Sequence, residues 1–126
     1  PTTTSTQTLS GRVEPWSHER VAELQAVGQP VFVDVTAAWC VTCQINKLTV
    51  LDTASVEDAF DRFGVASLRA DWTNRNETIA NLISDHGQAG VPLYLLYPAS
   101  GGEPRVLPTV LSSGSLVEAL EWAANS

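Results

Sequence analysis

Residues 31–43 read Val31-Phe32-Val33-Asp34-Val35-Thr36-Ala37-Ala38-Trp39-Cys40-Val41-Thr42-Cys43, and they indicate the architecture of the chain more strongly than any other segment. A nearly continuous apolar run comes first, which is typical of a central strand covered on both faces. The only two cysteines of the chain follow with the spacing C-x-x-C, and residues 44–51 suit a helix. A strand, a C-x-x-C pair and a helix in this order are typical of a thiol–disulfide exchange site.

The C-x-x-C spacing has a chemical reason. Two intervening residues let one helical turn bring the second sulfur to the first. Cys40 then falls at the helix N-terminus, where unpaired N–H groups and the helix dipole stabilise the attacking thiolate. We therefore predict that Cys40 is the nucleophile and that Cys43 resolves the mixed disulfide. Val41 and Thr42 carry no charge, so we expect moderate activation of Cys40 that comes mainly from the helix terminus.

Two other interpretations of the cysteine pair stay open. A zinc or copper site needs further ligands, but the chain has no Met, and its two histidines, His18 and His86, lie far apart in sequence. A structural disulfide closing so short a loop would remove little chain entropy. A chain of 126 residues is also long enough to build a core without such a bridge. Redox exchange is therefore the favoured interpretation, with no metal at the site.

The composition of the chain excludes some classes of protein. The length suggests one domain, the hydrophobic fraction of 44% is ordinary, and the net charge is −7. This acidic balance argues against binding nucleic acid or anionic membranes, and we interpret it as favouring solubility. No apolar run approaches the roughly 20 residues of a membrane span. The Thr-rich residues 1–10 predict a flexible linker before a single domain over residues 11–126, and the missing initiator Met predicts a fragment or a processed chain.

Hydrophobic periodicity and capping residues predict the order of the elements. We expect N-caps at Ser17, Ser55 and Ser115, and an inward face on the first helix from Val21, Leu24 and Val27. Early strands alternate with helices and should pair in parallel, whereas the last two strands are close in sequence and should be antiparallel. The prediction is an α/β domain with a central mixed sheet flanked by helices. The expected strands cover residues 12–16, 31–36, 65–70, 92–97 and 105–107, and the expected helices cover 17–27, 44–51, 55–63, 77–86 and the segment after 115.

Asp34 is a third candidate for the chemistry. A carboxylate in a buried strand is costly unless it has a partner or a role. Our hypothesis is that Asp34 has a raised pKa and exchanges a proton with Cys43. The alternative is an Asp near the end of the strand that points to solvent.

Other side chains are candidates for contacting a substrate. A cis Val91–Pro92 bond would place the Val91 backbone beside the cysteines, although base rates favour trans. Trp39, with Val41 and Thr42, is predicted to face the substrate, and packing is the alternative for Trp39. The remaining assignments are to packing or to the surface: Trp16, Trp72 and Trp122 pack, His18 and His86 lie at the surface or at helix ends, and Lys47 is a solvated charge or a weak positive influence on the thiolate.

Residues 33–43 together with Gly90-Val91-Pro92 resemble the thioredoxin superfamily. The form Trp-Cys-Val-x-Cys is similar to the C-terminal periplasmic thioredoxin-like domain of DsbD-type transmembrane thiol reductases. Residues 70–75 and 90–98 resemble most the ScsB branch, which is linked to copper tolerance. The resemblance covers about Val13 to Ala123.

This resemblance implies a thioredoxin fold and a role in electron transfer within a periplasmic domain of an inner-membrane protein. Electrons would pass from cytoplasmic thioredoxin through a membrane-embedded domain to this C-x-x-C, then to an N-terminal periplasmic domain of the same protein and to downstream periplasmic thiol proteins. No cofactor beyond the redox-active disulfide is implied, no nucleic acid is a partner, and we expect the isolated domain to be a monomer. A thiol oxidase or isomerase and a copper- or zinc-binding module are the alternatives.

The resemblance also implies residue roles. Cys40 matches the family nucleophile, Cys43 the resolving thiol, Asp34 the buried acid and Pro92 the cis-proline. Lys47 departs from the pattern, because many DsbD domains carry there a Glu that is thought to raise the pKa of the nucleophile. A positive charge at this position acts in the opposite direction.

Overall fold

The computed structural model describes residues 13–126, and the linker predicted for residues 1–10 lies outside them. A five-stranded sheet forms the centre of this part of the chain. In chain order the elements are β1 (Val13–Pro15), α1 (His18–Ala26), β2 (Val31–Thr36), α2 (Val41–Asn46), a π-helical segment (Lys47–Leu51), α3 (Ala54–Phe63), β3 (Ala66–Asp71), α4 (Glu77–Asp85), β4 (Leu93–Tyr97), β5 (Arg105–Val106) and α5 (Ser113–Asn125). Among these helices, none has both the length and the apolar character that crossing a bilayer needs.

The sheet is mixed, with the strand order β1-β3-β2-β4-β5. β2 pairs in parallel with β3, where Val33 lies opposite Leu68, and antiparallel with β4, where Val33 lies opposite Leu95. β1 is parallel to β3, and β5 is antiparallel to β4. The predicted parallel early strands and antiparallel late pair are therefore confirmed, and β2 is the central strand, as its apolar sequence indicates.

Each face of β2 packs against a different layer, because side chains alternate along a strand. One layer joins β2, β3 and β4 to α1 and α4. The other layer joins the sheet to α3, α5 and the π-helical segment. Asp34 lies on the same side of β2 as Phe32, opposite Tyr94 of β4, and the rings of Phe32 and Tyr94 stack with centroids 5.8 Å apart. The only charged residue of β2 therefore lies among buried aromatic side chains.

The predicted helix starts are only partly right. Ser17 caps α1 by accepting the Arg20 N–H at 3.0 Å, as expected. The cap at Ser55 is wrong, because Thr53 is the N-cap and α3 begins at Ala54. The cap at Ser115 is also wrong, since Ser112 is the N-cap and accepts the N–H of Ser115. Neighbouring Ser and Thr residues have similar capping propensities, so the backbone path decides which of them is used.

The end of α1 also differs from the prediction. Val27 is 76% exposed and lies just beyond the last helical residue, so it does not join Val21 and Leu24 in the core. The predicted helix stop at Gly64 after α3 is confirmed, since Gly64 adopts the left-handed conformation with φ 66°.

Asn46 ties the end of α2 to two other parts of the fold. Its side-chain amide donates to the Tyr94 hydroxyl at 2.8 Å and to the Thr109 carbonyl at 2.8 Å. Its side-chain oxygen accepts the Leu111 N–H at 3.2 Å, and the residue is 2% exposed. These three bonds hold the helix that carries the cysteines against β4 and the loop before α5.

Replacing Asn46 with alanine is expected to lower the free energy of unfolding by about 3 kcal/mol, because three buried hydrogen bonds are lost. Urea denaturation measures this difference. Asn81→Ala is the matched control on the exposed side of α4, and we expect it to change stability by less than about 0.5 kcal/mol. Equal urea midpoints for both variants would show that the Asn46 bonds contribute nothing net.

Candidate functional site

Cys40 and Cys43 form a disulfide at the start of α2. Their Cα atoms are 5.3 Å apart, within the usual range for a disulfide. Cys40 is the N-cap residue of the helix, and its Sγ accepts the N–H of Cys43 at 3.1 Å. The structure thus places Cys40 at the helix N-terminus, as the sequence predicts. A thiolate at this position would receive a backbone hydrogen bond and the favourable end of the helix dipole.

The disulfide is buried beneath a partly exposed rim. Cys40 is 7% exposed and Cys43 is 3% exposed, so neither cysteine has much contact with solvent. By contrast, Trp39 is 45% exposed and Val41 is 72% exposed, and Thr42 is also exposed. The exposed surface next to Cys40 in the chain is therefore formed by these three neighbours.

The segment before β4 closes the other side of the disulfide. Val91 packs against the buried cluster that contains Ala37 and both cysteines. The Val91–Pro92 peptide bond is cis, as predicted from the motif. Gln88 donates a side-chain N–H to the Pro92 carbonyl at 3.1 Å and so ties this segment to the end of α4.

Asp34 is buried, with 4% exposure, so the alternative of an Asp that points to solvent is wrong. Arg69 of β3 donates from Nε to Asp34 Oδ2 at 3.3 Å. Burial raises the pKa of Asp34, while the charge and hydrogen bond of Arg69 oppose this effect, and the net pKa is raised. The raised pKa that we expected from sequence is confirmed in direction.

Arg69 is a site residue that the sequence analysis missed. It lies beside Asp34 in the parallel pairing of β2 with β3, 35 residues later in the chain. Its side chain is 32% exposed, so the guanidinium keeps some contact with water. The sequence did contain a signal for it, because a cationic residue within a predicted interior strand needs a buried partner.

A cavity of about 210 Å³ brings the predicted acid and the resolving cysteine together. Asp34 and Cys43 both line it, together with Lys47, Arg69 and Asp71 among others. Asp34 and Cys43 therefore face the same space. The geometry therefore supports proton exchange between them, a role that stays a prediction.

Lys47 is ion-paired rather than freely solvated. Its Nζ lies 2.7 Å from Asp52 Oδ2, and its side chain is 39% exposed. After burial and Arg69, the positive charge of Lys47 is the next influence on Asp34 and lowers the pKa of that carboxyl. Lys47 therefore belongs to the charged surroundings of Asp34.

The loop after β3 is hydrogen-bonded to the loop that precedes Cys40. Thr73 accepts the Ala38 N–H on its hydroxyl at 2.8 Å, and its carbonyl accepts the Trp39 indole N–H at 3.1 Å. The carboxylate of Asp71 accepts from both the N–H and the hydroxyl of Thr73, and these bonds lower the pKa of Asp71. The guanidinium of Arg75 lies over the Trp39 ring at 4.3 Å from the ring centroid.

The other tryptophans and the two histidines lie where the sequence predicts them. Trp16 and Trp72 pack against the core layer formed with α1 and α4, and Trp122 packs against the opposite layer. His18 is exposed at the start of α1, and His86 is the C-cap of α4. Residues 13–126 contain no group of three or more His, Cys, Asp or Glu side chains arranged to hold a metal ion.

Arg69→Gln is expected to raise the pKa of Asp34 further, because both the charge and the charge-assisted hydrogen bond that lower it are removed. A titration of the Asp34 carboxyl carbon by NMR measures this change. Arg62→Gln, in an exposed pair with Asp58, removes the same charge as a control and is expected to leave the titration of Asp34 where it is. An unchanged titration in Arg69→Gln would show that Arg69 does not influence the acid.

The fold and the disulfide at the head of α2 define a class of protein, the thiol–disulfide oxidoreductases. A thioredoxin-like family model matches residues 12–99, which is more than half of the chain. The chain therefore belongs to the thioredoxin-like family.

Its relatives include thiol:disulfide interchange proteins. DsbD 1 of Pseudomonas aeruginosa is 28% identical over 106 residues, which is 82% of this chain and 18% of that protein. DsbD of Pseudomonas sp. is 36% identical over 83 residues, which is 66% of this chain and 14% of that protein. The chain thus spans less than a fifth of the length of these curated relatives, and the matches do not separate the ScsB branch from other DsbD proteins.

Solved structures show the same fold. The oxidised C-terminal domain of Neisseria meningitidis DsbD superposes with a TM-score of 0.68 at 19% identity, covering 88% of this chain and 98% of that domain. A thioredoxin from Thermus thermophilus gives a TM-score of 0.69 at 20% identity, covering 86% of this chain and 83% of that one. The predicted thioredoxin fold and the expected likeness to the C-terminal domain of DsbD are confirmed.

Proposed function

We propose that this domain is a disulfide reductase that relays electrons in the periplasm as the C-terminal thioredoxin-like domain of a DsbD-type inner-membrane protein. The observation that carries this proposal is the Cys40 sulfur at the N-cap of α2, where it accepts the Cys43 N–H. A helix N-terminus stabilises the thiolate that disulfide exchange requires. The exposed neighbours Trp39, Val41 and Thr42 leave room for a partner.

The reaction begins with the reduced domain, in which Cys40 is a thiolate and Cys43 a thiol. The Cys40 thiolate attacks one sulfur of the partner's disulfide, so that a bond between Cys40 and the partner forms and the partner's own S–S bond breaks. The partner sulfur that leaves takes a proton from solvent.

The second step releases the partner. Cys43 gives its proton to Asp34 and attacks the Cys40 sulfur, which restores the Cys40–Cys43 disulfide and frees the second partner sulfur as a thiolate. Asp34 then releases the proton to solvent through the shared cavity, and the freed partner thiolate takes a proton from solvent, so that the partner ends as a dithiol with two added electrons. The domain is oxidised by two electrons, and no cofactor is needed besides the disulfide.

Two features support the wider role. The names of the relatives describe thiol:disulfide interchange, and the Trp-Cys-Val-x-Cys motif resembles the C-terminal domain of DsbD. In that arrangement a dithiol of the membrane-embedded domain, supplied by cytoplasmic thioredoxin, would reduce Cys40–Cys43 again. The N-terminal periplasmic domain of the same protein and downstream thiol proteins would receive the electrons. The resemblance to the ScsB branch implies copper tolerance as the physiological setting. We propose that the isolated domain acts as a monomer.

The reduction potential of the Cys40–Cys43 couple tests the direction of electron flow. Equilibration in glutathione buffers, read through tryptophan fluorescence because Trp39 adjoins Cys40, gives this value. We expect about −200 to −270 mV, the range of thioredoxin and the glutaredoxins. A value near about −120 mV would contradict the reductase direction and favour a thiol oxidase or isomerase. A stoichiometric copper or zinc complex of the reduced protein without disulfide exchange would favour a metal-binding module instead.

A further inference from the structure

Two tryptophans and an arginine form a cluster beside the disulfide. Trp39 directly precedes Cys40 and is 45% exposed. Its ring centroid lies 5.9 Å from that of Trp72, with the two planes tilted by 55°. The guanidinium carbon of Arg75 lies 4.3 Å from the Trp39 centroid and 5.4 Å from the Trp72 centroid. These three residues, the Trp39–Trp72–Arg75 surface, adjoin Cys40 through Trp39.

This surface is held in place by contacts of its own. The Trp39 indole N–H donates to the Thr73 carbonyl, and the Trp72 indole N–H donates to the Asn76 carbonyl, both at 3.1 Å. Arg75 adopts a left-handed conformation with φ 54°, which is uncommon for a residue other than glycine. Side chains that are already ordered lose less conformational entropy when a partner binds.

Arg75 offers a charge that its own domain does not neutralise. Other arginines pair with carboxylates: Arg20 with Glu14, and Arg62 with Asp58. Within residues 13–126 no carboxylate forms an ion pair with Arg75. A guanidinium that stacks on rings through its face keeps the N–H groups along its edge free, and this edge matches a carboxylate in a bidentate geometry.

The charges near the disulfide distinguish Arg75 from the other cations. The chain has a net charge of −7, yet residues 35–51 contain no Asp or Glu. Lys47 and Arg69, the cations that line the cavity with Cys43, are paired with Asp52 and Asp34. Asp34 and Asp71 also line the cavity beside Cys43, but Asp34 is bonded to Arg69 and Asp71 to Thr73. Arg75 is therefore the cation beside Trp39 that has no carboxylate partner within residues 13–126, which favours a partner segment of negative charge.

We propose that the Trp39–Trp72–Arg75 surface docks the protein whose disulfide Cys40 reduces, and that this partner carries an Asp or Glu beside its reacting cysteine. The proposal rests on the proposed function. Trp and Arg are the residue types that most often carry binding energy at interfaces. The partner's carboxylate binds the edge of the Arg75 guanidinium, while its backbone lies against the Trp39 ring.

The test compares three disulfide-bonded peptides that differ only in the residue beside the cysteine, which is Glu, Gln or Lys. Rates of reduction by the reduced 126-residue chain are followed by tryptophan fluorescence, with 2-hydroxyethyl disulfide as an uncharged reference substrate. We expect the Glu peptide to react about fivefold faster than the Gln peptide at low ionic strength, and the Lys peptide to react slowest. The preference should decline as salt is added.

Variants test whether Arg75 causes the preference for the Glu peptide. In Arg75→Gln the ratio of Glu to Gln rates should fall to about one, and Arg75→Lys should keep part of it because the charge remains without the planar fork. Arg105→Gln is the matched control, since Arg105 stacks on Trp122 at 3.9 Å, away from Cys40, and the variant should keep the full ratio. Thermal unfolding checks that each variant is folded.

Two results would overturn the docking surface: equal rates for the three peptides, or the same loss of preference in Arg105→Gln as in Arg75→Gln. A wild-type preference for the Lys peptide would point to a basic partner and would also contradict the proposal. If the uncharged 2-hydroxyethyl disulfide is not reduced either, the proposed function itself fails, and the docking surface fails with it.

Discussion

Replacing Cys40 with serine is expected to lower the rate of disulfide reduction by at least about a thousandfold, to the level without protein, because the attacking group is removed. A serine hydroxyl is not ionised near neutral pH and cannot form a mixed disulfide, whereas the thiolate is the reactive species. Insulin reduction in the presence of dithiothreitol measures this loss. The side chain is nearly isosteric, so the fold should be retained.

Cys43→Ser is the matched comparison, because it removes the second sulfur and keeps the first. We expect this variant to attack once and then to stay joined to its partner, since resolution needs the Cys43 sulfur. Mass spectrometry would detect the mixed disulfide at Cys40. If Cys40→Ser accumulated the mixed disulfide through Cys43 instead, the assignment of the two roles would be reversed.

Asp34→Asn is expected to have two opposite effects: slower turnover and higher stability. An amide cannot accept the Cys43 proton, so the resolving step should slow by about a hundredfold at neutral pH, the size typical of a general base. Single-turnover kinetics across a pH series would show this loss, and the step in the pH profile that belongs to Asp34 should disappear.

The stability effect follows from the direction of the pKa shift. Burial raises the pKa of Asp34 above the ordinary value of 3.8, so the folded domain holds this proton more tightly than the unfolded chain does. Below the ordinary pKa both states are protonated and the group costs nothing. As pH rises through the raised pKa, the unfolded chain releases its proton first, and the free energy of unfolding falls.

At neutral pH the wild-type carboxylate therefore carries a cost that the neutral amide avoids. We expect Asp34→Asn to raise the free energy of unfolding at pH 7, and to match wild type below about pH 4. Arg69 keeps partial contact with water, so the loss of its partner should cost less than the gain. Urea denaturation at both pH values measures the difference.

An exposed carboxylate provides the control for both effects. Asp85, the last residue of α4, is exposed, so Asp85→Asn should leave the resolving rate and the pH dependence of stability as in wild type. If Asp34→Asn were as fast as wild type over the whole pH range, Asp34 would not be the proton acceptor. A variant less stable than wild type at pH 7 would show that the ion pair with Arg69 is net stabilising.

Much of this fold is readable from local sequence. Several elements are predicted correctly by residues that lie close together in the chain. The apolar run predicts β2, the C-x-x-C spacing predicts the helix that carries the cysteines, and hydrophobic periodicity predicts α3 and α4. The sequence favoured a buried Asp34 over one that points to solvent, because a central strand is covered on both faces, and the structure decided between the two. The helix starts at Ser55 and Ser115 were wrong because several neighbouring residues cap equally well.

By itself, the sequence determined the strand–cysteine–helix unit and the order of strands and helices, since these rest on spacing and periodicity, and its motifs carried the resemblance to the thioredoxin superfamily. Only the tertiary structure decided which side chains meet across the fold. Arg69 reaches Asp34 across 35 residues, and Asn46 reaches Tyr94 across 48. Such contacts depend on strand order and register, which bring distant segments together to bury apolar surface, and no local pattern of residues encodes that arrangement.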